Sequence, residues 1–327
     1  MAATITTDIL IIGAGPVGLY GAYCAGFRGL RTVVVDALPQ CGGQITALYP
    51  EKEIRDIAAV PGSRGREVVA ALKEQADAFG PRYLLGKQAV GLAHAPGGRP
   101  RVTLSDGAVI DAGAVVLTAG IGTFTPRTFP AGEEFLGRGL SYFVPDPAEY
   151  EDRDVLVVGG GDSAVDWTLA LHPIARSVTL VHRRSAFRAH AASVREVHGC
   201  GAEIVLNAQV EALVGDDRLR EAHLRVDGEA DVQVRKADAV VAALGFVSNL
   251  GPLLDWGLAL DRRAIVVDTR MRTTVDRVYA AGDVTAYPGK VRLMSVGFGE
   301  AATAVNNAAV VLDPALSLFP GHSTEST

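Results

Sequence analysis

One local pattern occurs twice in this chain: a wholly apolar strand, a glycine-rich turn, a helix, then a second strand. Asp8–Ile12 runs into Gly13-Ala-Gly-Pro-Val-Gly18 and on to Thr32–Val35. Val155–Val158 runs into Gly159-Gly-Gly-Asp-Ser-Ala164, a helix over Ser163–His172, and Val178–Val181. Continuous apolar strands that alternate with helices belong in a parallel sheet covered on both faces. The chain therefore predicts an α/β fold. Its 327 residues suffice for two domains. Thr, Pro, Gly and Phe crowd the stretch Gly120–Glu134, and the chain turns irregular again after Gly245-Phe246. Both stretches read as crossovers, with the second repeat inserted into the first. Residues 1–119 and 246–327 then form one discontinuous domain, and 120–245 the other.

Other elements follow from local signals. Ser63 suits an N-cap and Gly80 the C′ residue of the helix between them. Asp106-Gly107 turns a hairpin across Val102–Ile110, and Ala114–Thr118 reads as a separate buried strand. Turns fall at Gly215-Asp216 and Asp227-Gly228. Val278–Ala281 is a short strand and Ser295–Leu312 an amphipathic helix.

The first turn fits GxGxxG between strand and helix. Gly13 permits the tight turn, Gly15 lets the backbone approach a pyrophosphate, and Gly18 lets the helix pack on the strand. Pro16 lies within this run, and the unpaired N–H groups at the helix N-terminus are offered to an anion. Asp36 closes the next strand, where a carboxylate accepts from ribose hydroxyls. NAD or FAD would fit. Gly42-Gly43 followed by Gln44, a flexible polar loop, favours FAD, and Asp283 after Ala280-Ala-Gly stands where its ribityl or pyrophosphate part would lie.

The second turn, with Gly159, Gly161, Asp162 and Ser163, fits GxGxxA. The strand after it ends in His182-Arg183-Arg184, with Arg188 beyond. An acid there would favour NAD, whereas guanidinium groups bind a 2′-phosphate through charge-assisted, often bidentate bonds. The second nucleotide is therefore read as NADPH. The two sites together predict two Rossmann-like three-layer dinucleotide-binding domains.

Composition narrows the classes further. The net charge of −6 disfavours a nucleic-acid binder. Cys24, Cys41 and Cys200 are far apart, form no CxxC pair and have no metal-ligand spacing, which suits a reducing cytoplasm and predicts no metal. No apolar run is long enough to span a bilayer, so no membrane association is expected.

The motifs Cys41-Gly-Gly-Gln-Ile, Leu48-Tyr-Pro-Glu-Lys52, Gly159–Trp167, His182–Ala189, Ala281–Val291, Gly297–Ala302 and Gly321-His-Ser-Thr324 are far more specific than either glycine turn. Through them nearly the whole chain resembles the thioredoxin-reductase-like ferredoxin/flavodoxin–NADP⁺ reductases. The resemblance implies FAD contacts from Asp36, Gln44, Tyr49, Val90, Phe124, Asp283 and Thr324. It implies that Tyr49 and His322 stack on opposite faces of the flavin ring, with no acid–base residue in the chemical step. It further implies a homodimer, a ferredoxin or flavodoxin as partner, and electrons passed from NADPH through FAD. Lys52, Lys290 and Arg292 are candidates for a basic patch that meets this carrier. Two rivals remain: on the same scaffold, a low-molecular-weight disulfide reductase lacking CxxC, and from another class, a nucleotide-binding regulator that holds FAD and NADPH as a redox sensor without turnover. Dithiol relay is excluded, since Gly161-Asp162-Ser163 stands where thioredoxin reductases carry CxxC.

Overall fold

In the computed structural model the described residues run from 4 to 322, the side chains of Phe124 and Ser248 excepted. The chain forms two compact units: residues up to 124 together with those from 248 onward, and Thr125–Val247. Each has an apolar core of its own.

In the first unit the strand Thr4–Ile12 lies between Thr32–Asp36 and Val109–Leu117, parallel to both. Arg82–Leu85 extends the sheet in parallel beyond Thr32–Asp36. The strand Val109–Leu117 changes partner along its length. Its start pairs antiparallel with Arg101–Thr103, and its end pairs parallel with Val278–Ala280. The sequence suggested two elements here, and the structure has one. Gly113 is the reason: a Cβ there would stand 2.6 Å from Leu312 Cδ2 and 2.7 Å from Asp8 O. That glycine allows close packing and makes no turn. The first strand is also longer than its apolar run, because Thr4–Thr7 pair with Val109–Ala112.

Helix Pro16–Phe27 packs on Gly65–Asp77 and on Met294–Leu312. Helix Gly65–Asp77 starts after Arg64, not Ser63. Ser63-Arg64 is extended and pairs with Glu53-Ile54, and Glu67 Oε2 accepts from Arg64 N at 2.8 Å to close the helix end.

The second unit holds a five-stranded parallel sheet in the order Leu140-Ser141, Ala239–Ala243, Asp154–Gly159, Ser177–His182, Glu203–Leu206. Helices Asp162–Leu171 and Ala191–Gly199 connect its strands. The latter had no clear signal: nine residues with Val197 alone buried give no apolar stripe. Ala208–Gly215, Leu219–Val226 and Gln233–Lys236 form an antiparallel meander that turns at the two Gly-Asp and Asp-Gly pairs. The segments that carry the chain between units contain two short paired strands, Thr123–Pro126 and Phe246–Asn249, where the sequence suggested irregular chain.

Leu156 is 1% exposed in the second core. Leu156→Ala is expected to cost about 3 kcal/mol through lost burial and a residual cavity. Hydrogen exchange should show weakened protection confined to Thr125–Val247; uniform loss across the chain would contradict two separate cores.

Candidate functional site

The first glycine turn lies at the carboxyl end of strand Thr4–Ile12, the end of a parallel sheet where ligands bind. Gly13 has φ +115°, and a Cβ on it would stand 2.4 Å from Thr118 O. A Cβ on Gly18 would fall 1.8 Å from Gly13 O, so only glycine lets the helix lie on the turn. Thr118 Oγ1 donates to Gly13 O at 2.8 Å and holds the turn from below. Gly15 is the N-cap of helix Pro16–Phe27, and among the described residues no side chain caps it. The first-turn amides are left for an anion.

Asp36 braces this turn. Its Oδ2 accepts from Ala14 N at 2.6 Å and its Oδ1 from Leu38 N at 2.8 Å. Burial pushes the carboxyl up from its ordinary value, against the pull of those two bonds. The Cys41–Gln44 loop docks on the same turn. Gly42 N donates to Ala14 O at 2.8 Å, and a Cβ on Gly43 would stand 3.1 Å from Gly15 Cα. The short helix Gln44–Leu48 follows and sets Tyr49 at its end. Burial pushes the Tyr49 hydroxyl up to about 12, with Asp283 and Asp56 adding to the effect, so it stays protonated at neutral pH.

These residues line one cleft of about 370 Å³ within the first unit. Gly13, Gly15, Pro16, Asp36, Gly43, Gln44, Tyr49 and Asp283 meet there. Gly18 acts in packing beneath it. Val90 is 38% exposed and does not line the cleft; its neighbours Lys87, Gln88 and Ala89 do. His322 is exposed and packs edge-on against Phe319 at 5.0 Å, away from the cleft lining. Phe124's side chain and Thr324 lie outside the described residues. The cleft also takes in Leu250, Pro252 and Leu253, which sequence reading missed because they follow the second crossover with no motif around them. Lys290 requires a correction. It is no surface charge: its side chain is 9% exposed and pairs with the buried Glu300 at 2.5 Å.

In the second unit the glycines have different neighbours. A Cβ on Gly160 would enter the His182 ring, whereas nothing lies within 4 Å of one on Gly161. Gly161 caps helix Asp162–Leu171 and is open to a ligand. Arg188 N donates to Gly160 O at 2.7 Å, and His190 N donates to Asp162 Oδ1 at 2.8 Å. The basic loop is thereby folded back on the turn. Ser163, Arg183, Arg184 and Arg188 are exposed around it. His182 stacks on Phe187 at 5.4 Å. Burial pulls its pKa down, and Arg184, Arg183 and Arg188 add to this. It is neutral at pH 7, and the arginines carry the local charge.

Cys24 and Cys41 are buried and unpaired. Burial pushes the Cys24 thiol up to about 12 and raises that of Cys41, which makes both poor nucleophiles.

Residues 7–308 match the pyridine nucleotide-disulphide oxidoreductase family. The ferredoxin–NADP reductase of Salinispora tropica is 58% identical over 320 residues, covering 98% of this chain and 99% of that protein. The ferredoxin–NADP reductase of Thermus thermophilus is 46% identical over 325 residues, covering 98% and 97%. Among solved structures, the thioredoxin reductase of T. acidophilum matches with a TM-score of 0.81 at 24% identity, covering 95% of this chain and 99% of that one. This last is a likeness of fold alone.

The Asp283 carboxyl lies in the cleft, where burial raises its pKa against the opposing pull of Lys290 and Arg292. A carboxyl raised in the folded state favours folding when protonated, and that contribution is lost as pH rises through its folded value. Flavin-free Asp283→Asn should therefore melt higher than the parent chain at pH 7. The gain should close as pH falls below about 3.9, where the parent carboxyl is protonated in both states. An equal or lower Tm at pH 7 would mean that partners hold the carboxylate after all.

Proposed function

The chain belongs to the pyridine nucleotide-disulphide oxidoreductase family and, within it, to the ferredoxin–NADP reductases, and we infer that it moves electrons between NADPH and a one-electron carrier protein through bound FAD. The observation that carries this reading is the pairing of two differently equipped glycine turns with full-length identity to named reductases. The first cleft fits FAD. Its turn and the Gly43 loop approach so closely that a Cβ would intrude, which leaves bare backbone for a pyrophosphate. Asp36 stands at the strand end where a ribose is read.

A flavin supplies what no side chain can: it accepts electrons as a pair and releases them singly. The residues of the chain do the rest. The N–H groups of Val17 and Gly18, in the first helical turn past Pro16, bind the pyrophosphate, and Gln44 and Asp283 orient the part beyond it. Tyr49 covers one face of the ring and excludes water; its raised hydroxyl pKa keeps an anion away from that face. By the resemblance Phe124 and Thr324 add contacts, and His322, which packs on Phe319 in the structure, must move to cover the other face and yield it to the nicotinamide; Val90 stands beside the cleft wall. In the second unit, Gly159, Gly161, Asp162 and Ser163 form the pyrophosphate turn, and Arg183, Arg184 and Arg188 hold the 2′-phosphate. This division assigns residues 1–119 and 246–327 to FAD and 120–245 to NADPH.

The carrier is ferredoxin, with flavodoxin as its alternative. Arg292 lines the cleft between exposed Val291 and Leu293, and with Lys52 it offers a basic rim to such a partner. The protein works as a homodimer in the cytoplasm, in keeping with its unpaired thiols. Among the described residues no helix is long and apolar enough to cross a membrane.

The absorption spectrum of the purified protein, followed by rapid reduction with NADPH and NADH, tests the cofactor pair. Replacing both Arg183 and Arg184 by Ala should raise KM for NADPH roughly 10- to 100-fold, the equivalent of one charged hydrogen bond in all at about 1.5–3 kcal/mol. KM for NADH should change less than about twofold. Equal effects on both nucleotides would reject the 2′-phosphate assignment. Carrier turnover should fall as salt rises while ferricyanide turnover holds; salt-independent turnover would reject the basic rim. Bound flavin without turnover of either acceptor would leave the redox-sensor reading in place.

A further inference from the structure

Gly282 immediately precedes the cleft carboxylate Asp283, and a buried ion pair grips it from both ends. Glu300, on helix Met294–Leu312 and 5% exposed, accepts from Gly282 N at 2.6 Å. Lys290, also buried, donates to Gly282 O at 3.0 Å and to Glu300 Oε1 at 2.5 Å. Tyr287 Oη donates to the same Glu300 oxygen at 2.5 Å, and the Lys290 ammonium lies 5.6 Å from the Tyr287 ring centroid. Thr285 Oγ1 donates to Gly282 O at 2.8 Å.

Gly282 has φ +85°, and Val17 of the first helix stands 3.3 Å from where a Cβ would be. The chain is therefore turned in a conformation that L side chains avoid, with Val17 in tight contact beside it. The orientation of the peptide joining Gly282 to Asp283 is set by its carbonyl oxygen, which Lys290 and Thr285 both hold. The preceding N–H is set by Glu300. With both ends fixed, the Cα of Asp283 has one position at the cleft wall.

Burying two opposite charges costs them their hydration and is a poor way to gain stability. Neutral partners would satisfy one N–H and one carbonyl equally well. An ion pair adds stiffness: each partner keeps the other where the backbone needs it. The two charges also act on Asp283 in opposite senses.

We propose that Lys290 and Glu300 are positioning residues of the cofactor site, which fix the Gly282–Asp283 peptide so that the Asp283 carboxylate meets FAD in one place. This rests on the reading of the cleft as the FAD site.

The test uses flavin-free full-length protein titrated with FAD by fluorescence quenching, in the parent chain, Lys290→Met, Asp283→Asn and the double variant. Binding of NADP⁺ serves as a control for the rest of the fold. Each single variant should weaken FAD about tenfold, and the double variant should lose about tenfold as well rather than a hundredfold, because the pair acts through Asp283. NADP⁺ affinity should not move. A hundredfold, additive loss, or a folded Lys290→Met with parental FAD affinity, overturns the proposal. Should Lys290→Met fail to fold, Tyr287→Phe removes a single bond to Glu300 and should weaken FAD about threefold, again without additivity with Asp283→Asn. Parental affinity in that variant also overturns the proposal. Amide exchange at Gly282 separates the two readings, for it should quicken in Tyr287→Phe with or without flavin. A parent chain that binds no FAD yet shows this change would sink the cofactor assignment and leave the clamp intact.

Discussion

Backbone lies directly on backbone where the strand Thr4–Ile12 gives way to the helix Pro16–Phe27, and the first unit is arranged around that contact. The carbonyl of Gly13 is covered by the start of the helix at Gly18 and receives the hydroxyl of Thr118. Ala14, with no functional group of its own, spends its N–H on Asp36 and its carbonyl on Gly42. One residue thus ties together the turn, the second strand and the loop that carries Gln44 and Tyr49. A site held this way is ordered before a ligand arrives, so binding loses little conformational freedom. A carboxyl raised by burial is the cost accepted at Asp36 for that order.

Much of this was legible in the sequence because its causes are local. Apolar runs, glycines at fixed spacing and a carboxylate at a strand end each report on a few neighbouring residues. Both turns, their helices and most flanking strands could be drawn from such signals. What escaped was set by distant partners. Lys290 sits in an exposed-looking Pro-Gly-Lys segment, and only the approach of Glu300, ten residues on, buries it. Leu250, Pro252 and Leu253 enter the cleft after the chain returns from the second unit, with no periodicity to mark them. The continuity of Val109–Leu117 through Gly113 rests on the packing of Leu312 against that glycine, which its neighbours in sequence do not reveal. Val90, a position carried over from a resemblance, is exposed beside the cleft, and the residues just before it form the wall.

The two glycine turns share a pattern and differ in where the carboxylate is used. In the first unit Asp36, at the strand end, reaches back to the turn through Ala14 N. In the second, Asp162 is on the turn side and reaches out to the loop through His190 N. Each repeat therefore has one carboxylate that braces its turn, tied to the end of the neighbouring strand in the first and to the start of helix Ala191–Gly199 in the second. The difference has an electrostatic consequence. With the carboxylate moved onto the turn, the second strand end is left to His182 and the arginines. His182 is kept neutral by burial, fills the space over Gly160 and accepts no anion itself. Arg183, Arg184 and Arg188 are exposed around that turn, and among the described residues the strand end has His182 where the first repeat has Asp36, the pattern on which the proposed binding of a 2′-phosphate rests. An acid placed as Asp36 is in the first unit would pair with those arginines and repel that phosphate. The repeats thus share their glycine spacing and differ in which side of the turn holds the carboxylate.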